Sequence, residues 1–225
     1  MHRTTRRALA IIGIATLTLA YLVSPARATL DYGSGKAGGA TGTPVLSTVP
    51  YTAVSDVLIV GDSITVGNYK ALAAKLPGVR LAVNARSGRG TVDAVNQVLA
   101  MPYVPPRVIM AVGSNDVFNP PVMAGQIARL RAALEPRGVK VFWVDVQVSR
   151  VRYSPAVQLA DQRNTGWVNA QIHSGCVAPC TVIGWGEFLS SNPSYRLPAY
   201  LRDGVHTTAA GTAAWAVLVA GEVSR

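Results

Sequence analysis

The chain has 225 residues, 49% of them hydrophobic and 14% charged, with Lys and Arg outnumbering Asp and Glu by 21 to 11. The charged share lies well below the roughly 25% usual for soluble domains, and the length suits one domain plus an extra segment. No dense Lys/Arg run is interleaved with aromatic residues, which argues against a nucleic-acid-binding surface.

The basic excess starts at the N-terminus. Met1–Arg7 (MHRTTRR) is basic, Ala8–Val23 is almost unbroken apolar sequence, and Ala26-Arg27-Ala28 supplies a small-x-small pattern. This is the layout of a secretory signal peptide over residues 1–28; a retained signal anchor is the rival reading. Arg6-Arg7 is a weak match to a twin-arginine signal. No cysteine follows the apolar run, which argues against a lipoprotein anchor. Without residues 1–28 the chain carries 17 basic and 11 acidic side chains, a net charge of +6. That modest positive field suits anionic surroundings such as a cell wall or lipid surface. The expectation is an exported protein, secreted or held in the cell envelope or periplasmic space. Only four of the 21 basic residues are Lys, which points to a high-GC bacterial source.

Residues 29–54 are rich in Gly, Thr, Ser and Pro without any period and read as a flexible linker. Within them Gly33-Ser34-Gly35-Lys36-Ala37-Gly38 fits G-x-G-x-x-G. No strand precedes it and no helical pattern follows, so a dinucleotide-binding reading fails on context.

From residue 55 onward short apolar runs alternate with helical patterns. Strands are expected at Val57–Val60, Arg80–Val83, Arg107–Val112, Lys140–Val148 and Thr181–Trp185. Helices are expected at Asn68–Leu76, Thr91–Ala100, Val122–Leu134, Ala156–Ile172 and Thr207–Val223. Continuous apolar strands alternating with helices indicate a parallel sheet covered on both faces. The expected fold over residues 55–225 is α/β, a flavodoxin-like doubly wound five-stranded parallel sheet of order 2-1-3-4-5.

In such a sheet the loops after each strand share one edge, where ligands bind. Those loops carry Gly61-Asp62-Ser63, then Asn84 to Gly90 (NARSGRG), then Gly113-Ser114-Asn115-Asp116, and finally Asp203-Gly204-Val205-His206. This is an inventory for acyl transfer. A serine hydroxyl needs a base, and histidine is matched to neutral pH. Beyond residue 28 the only histidines are His173 and His206. His206 lies on the expected edge, and Asp203, across a turn permitted by Gly204, can fix its tautomer. Oxyanion donors are available in the Ser63 and Gly88 backbone N–H groups and the Asn115 amide. Each has a plain structural reading beside it: Ser63 as a helix N-cap, Asn115 as a turn former, Asp203 and His206 as a helix-entry pair, and Gly90 as turn geometry. His173 reads as a surface or satisfied side chain.

Cys176 and Cys180 (CVAPC) are the only cysteines. In an exported chain so close a pair reads as a disulfide; with His173 upstream a zinc site is conceivable, but it lacks a fourth ligand and a paired motif.

GDSITVG, Ser87-Gly88, GSND and DGVH resemble, in order, the four blocks of the SGNH (GDSL-like) hydrolases, over about residues 56–213. Ser63 does not stand in a G-x-S-x-G elbow, which sets aside the α/β-hydrolase alternative. The resemblance implies the SGNH fold, a nucleophile at Ser63, oxyanion donors at Gly88 and Asn115, an Asp203–His206 pair, and no metal or organic cofactor. Gly88-Arg89, the Trp185 strand end and DGVHTTAAG are also similar to extracellular SGNH domains linked to membrane acyltransferases that decorate envelope sugars.

The expected function is therefore an exported serine esterase acting on short-chain, carbohydrate-linked or lipid-linked esters in association with the cell envelope. The alternatives are O-acyl transfer to an envelope glycan and a non-catalytic envelope-binding module on the same scaffold. Val151–Ala156 and Gly186–Leu201 are expected to frame the substrate. Arg89 is read either as a contact for an anionic substrate or as a solvated surface residue. Oligomeric state is not legible.

Overall fold

The computed structural model describes residues 42–46, 55–120, 122–191 and 193–225. Five parallel strands, β2 (Val57–Gly61), β3 (Leu81–Ala85), β4 (Arg107–Ala111), β5 (Lys140–Val144) and β6 (Thr181–Ile183), follow β1 (Val45–Leu46) in the chain. They make one sheet of order β1-β3-β2-β4-β5-β6. The parallel part has the expected 2-1-3-4-5 order. The addition is β1, which lies within the stretch read as linker and pairs antiparallel with β3 through Val45–Ala85 and Leu46–Asn84. Residues 1–28, read as an export signal, lie outside the described residues.

The strands are apolar without interruption because both faces are covered. Leu58, Val60, Val108, Met110, Val141 and Trp143 pack with buried residues of α2 (Thr91–Leu99), α3 (Val122–Leu134) and α4 (Pro155–Gly175). The alternate residues Val57, Ile59, Ile109, Phe142 and Val144 pack with α1 (Ser63–Lys75), α5 (Trp185–Ser190) and α7 (Ala209–Val223). Side chains two apart share a face, so each strand contributes to two cores. The mutual register Gly61–Ala85 and Gly61–Ala111 brings the carboxyl ends of β2, β3 and β4 level.

Several boundaries depart from expectation for identifiable reasons. Helix α1 begins at Ser63 rather than Asn68, because Asp62 caps it; Gly67 weakens the helical composition of that first stretch. Strand β5 stops at Val144, since β6 ends at Ile183 and offers Val146–Val148 no partner. Trp185 opens α5 instead of ending a strand. The short α6 (Pro193–Tyr200), which was not expected, fully buries no residue and holds Pro198, a residue that disfavours a helix interior. Cys176 and Cys180 form a disulfide with an S–S distance of 2.02 Å. Among the described residues no helix is long and apolar enough to cross a membrane.

Candidate active site

Strand β2 delivers Asp62 and Ser63 to the level carboxyl edge. Asp62 Oδ1 accepts the Ile64 N–H at 2.9 Å, and its own N–H donates to the Ala111 carbonyl. Asp62 is therefore the N-cap of α1, and Ser63 is the first helical residue. The choice between cap and nucleophile is thereby divided between two residues, and the Ser63 hydroxyl is left for another partner. That partner is His206, whose Nε2 lies 3.0 Å from Ser63 Oγ.

His206 is held by the turn it belongs to. Asp203 Oδ1 accepts the backbone N–H groups of Val205 and His206 at 3.0 and 2.7 Å. Asp203 Oδ2 lies 2.8 Å from His206 Nδ1. Burial pushes the Asp203 carboxyl up, but the His206 backbone and ring and the Val205 N–H outweigh it and hold it below its ordinary value. A carboxylate kept ionised there fixes the Nδ1–H tautomer and leaves Nε2 free to accept a proton. The helix that follows starts only at Ala209, capped by Thr208, so His206 stands in a turn and not at a helix entry.

The other two loops meet this pair from the β3 and β4 side. Asn115 lines the same pocket as Ser63 and His206; its amide donates one N–H to the Arg89 carbonyl at 3.0 Å, and an amide NH2 has a second to give. It makes no cap bond of its own to the 3-10 turn that follows. Gly88 stands in the adjoining turn with φ +73°, and that turn is hung on β2 by the Arg86 N–H to the Gly61 carbonyl at 3.0 Å. Of the expected site residues, Ser63, Asn115, Asp203 and His206 line one pocket; Gly88 is not among its lining residues. Asp116, buried in the same loop, ties the two turns together by accepting the Thr91 N–H and hydroxyl.

Both readings of Arg89 are overturned. It is 2% exposed, bonds Asp93 at 2.8 Å, and donates to the Asn84 backbone and side-chain oxygens at 2.7 and 2.9 Å. A guanidinium spent on these acceptors, and on the Gly61 carbonyl at 3.5 Å, braces the β3–α2 turn and reaches no substrate. His173, as expected, is a satisfied side chain, its Nε2 3.2 Å from Asp145 Oδ2.

The pocket over Ser63 measures about 340 Å³ and is walled by Phe118, Val148, Tyr153 and Val205, with Arg150 and Arg152 among its lining residues. Arg150 is clamped by Asp161 through two 2.8 Å bonds and lies between the rings of Phe118 and Tyr153, 4.8 and 4.6 Å from their centroids. Val151–Ala156 frames the pocket through Arg152 and Tyr153, as expected. Gly186–Leu201 does not line it: Phe188 stacks on Trp185 and meets the Tyr200 ring at a tilt, and the segment packs with Trp215 over the other core. Its position next to the fourth block in sequence was misleading. Phe118, Val148 and Arg150 were missed, since lone apolar or basic residues in a loop carry no pattern. A second, polar pocket of about 150 Å³ shares Ser63 and His206 and adds Gly67, Arg202, Thr207 and Thr212.

Beneath the serine, burial raises the Asp62 carboxyl to about 6, against the lowering effects of the Ile64 N–H, Ser114 and His206. A carboxyl raised by folding contributes stability that is complete below its unfolded value near 3.8 and is lost as pH rises through about 6. At 1.36 kcal/mol per pKa unit this amounts to at most about 3 kcal/mol. Asp62→Asn keeps the oxygen that caps α1 and cannot ionise. Denaturant titrations from pH 4 to pH 8 are expected to move the stability difference toward the variant by about 2–3 kcal/mol. A difference constant across that range refutes the assignment.

Comparison with known proteins bears on the fold. The chain resembles the solved GDSL-like lipase from Bacteroides thetaiotaomicron, with 17% identity over 79% of this chain and 92% of that one and a TM-score of 0.65. It is also similar to the C-terminal catalytic domain of peptidoglycan O-acetyltransferase A from Streptococcus pneumoniae, with 18% identity, 76% and 91% coverage and a TM-score of 0.57. An acetyl xylan esterase shares 17% identity over 74% of this chain and 99% of that one, with a TM-score of 0.58. Such identities establish the shared fold. No curated protein matches the chain. Residues 59–214, which run from β2 through the serine turn to the helix after His206, match the GDSL-like lipase/acylhydrolase family, and the chain belongs to that family.

Proposed function

We propose that the protein is an exported serine esterase that hydrolyses short- to medium-chain acyl esters linked to a carbohydrate or lipid. The observation that carries this reading is the unbroken relay from Ser63 Oγ to His206 Nε2 and from His206 Nδ1 to Asp203 Oδ2 at the mouth of an apolar pocket. Ser63 attacks the acyl carbonyl as His206 takes its proton, and His206 then protonates the departing alcohol. The Ser63 and Gly88 N–H groups and the Asn115 amide receive the oxyanion, each such donor typically contributing roughly 3–4 kcal/mol. Water repeats the cycle on the acyl-enzyme through the same histidine. Export rests on the sequence pattern of residues 1–28, with residues 29–54 as the spacer and 55–225 as the enzymatic body.

A panel of p-nitrophenyl esters from acetyl to long acyl tests the reading, together with a serine-directed phosphonate and mass mapping of the adduct. Turnover with a chain-length optimum and labelling at Ser63 is the expected result; a folded protein inert to every ester and to the phosphonate overturns it. The likeness to the O-acetyltransferase domain supports a second reading, acyl transfer to an envelope glycan. In that case a sugar acceptor takes the acyl group in preference to water.

A further inference from the structure

Of four arginines near Ser63, two are paired with carboxylates and two are not. Arg89 is closed by Asp93 and Asn84 and Arg150 by Asp161, while the Asp203 carboxylate is hydrogen-bonded by the His206 backbone and ring. Arg152 and Arg202 are both exposed. Among the described residues, neither side chain has an ion pair or hydrogen bond. Arg152 lines the apolar pocket and Arg202 the polar one, and the two pockets meet at Ser63 and His206. No carboxylate other than Asp203 lines either pocket.

We propose that the preferred substrate is an ester whose alcohol portion carries a carboxylate or phosphate close to the scissile bond, and that Arg152 and Arg202 select it. This rests on the esterase reading and narrows it. The acyl group is assigned to the pocket of Phe118, Val148 and Val205, where an unpaired anion would be costly to desolvate. The negative charge therefore belongs to the departing alcohol, at the rim where two guanidinium groups stand in water. Their planar forks match carboxylate and phosphate oxygens, which a lysine ammonium meets only as a point charge. Because both arginines are exposed, their effect falls with ionic strength.

The test compares 4-acetoxybenzoate with 4-acetoxybenzamide, two acetyl esters of similar size that differ in one negative charge. The readout is the ratio of their kcat/KM values, which cancels any loss common to both. In the wild-type protein the ratio is expected to exceed that of hydroxide-catalysed hydrolysis and to fall in 0.5 M NaCl, a salt level at which rim charges are largely screened. Arg152→Gln and Arg202→Gln each lower the ratio by about 2–5-fold, the range for exposed ion pairs, and the double variant lowers it further. Arg152→Lys restores part of it. A ratio no higher than that of hydroxide, or one unmoved by both substitutions, overturns the inference. If neither ester is turned over, the esterase reading fails independently. The charge preference is then read from ligand-observed NMR titration of Ser63→Ala protein with the same two compounds, where equal binding of both overturns it and tighter, arginine-dependent binding of the benzoate supports it.

Discussion

Ser63→Ala is expected to lower ester turnover by about ten-thousand-fold or more, with the thermal midpoint little changed. The separation of the two effects follows from the start of α1. Asp62, not Ser63, satisfies the orphan N–H of the first turn, and the Ser63 hydroxyl's bond is to His206 at 3.0 Å. Removing it costs the nucleophile and leaves the cap intact. His206→Ala is expected to cost about as much, and the double variant little more than either, because residues acting in one relay are not additive. Pre-steady-state kinetics on an activated ester, paired with circular dichroism melting, checks all three variants. A Ser63→Ala protein retaining more than about one per cent of turnover places the nucleophile elsewhere.

Gly204→Ala is expected to cost about 3 kcal/mol or more of stability and at least a hundredfold in activity. Gly204 has φ +84°, a left-handed conformation that a side chain disfavours, and an added Cβ would fall 1.7 Å from the Ser149 carbonyl oxygen. The residue sits where two segments are laced together: the Ser149 N–H donates to the Gly204 carbonyl at 2.9 Å and the Val151 N–H to the Asp203 carbonyl at 3.2 Å. Strain of this kind costs roughly 1–3 kcal/mol at the backbone alone, and the overlap forces the Ser149–Val151 segment away. That displacement moves Asp203 and with it His206, and an error near 1 Å in a reacting group can cost a hundredfold. A lowered melting temperature, by about 6 °C or more at the 2–4 °C per kcal/mol usual for this size, together with lost kcat, is the expected pair of results. Wild-type stability in Gly204→Ala would mean that the turn relaxes freely.

The same glycine shows how far local sequence reaches. A turn between Asp203 and His206 is written in the residues themselves, since an acid three positions before a histidine across a glycine can bond both the backbone and the ring. The apolar strands were equally legible, because burial on both faces removes the need for polar alternation. The cap at Asp62 was open to two readings in sequence, as Asp and Ser suit that position alike; the Ile64 N–H and the His206 ring decided it by claiming one side chain each. Arg89 illustrates the opposite failure. Its position beside Gly88 places it near the chemistry in one dimension, yet the carbonyl and side-chain oxygens of Asn84 lie within reach and draw it inward.

By itself, then, the sequence determined the alternating parallel architecture, the four loops that gather at one edge, and the identity of Ser63, Asp203, His206, Gly88 and Asn115 as their polar contents. These are local or periodic properties, set by side-chain spacing and by turns a few residues long. Only the tertiary structure decided which polar groups are spent internally and which face the cleft. The Arg150–Asp161 clamp, the burial of Arg89, the exclusion of Gly186–Leu201 and the uncompensated charges of Arg152 and Arg202 all depend on contacts between distant segments. A charge acts according to its distance from a partner and the water around it, and neither quantity exists until the chain has folded.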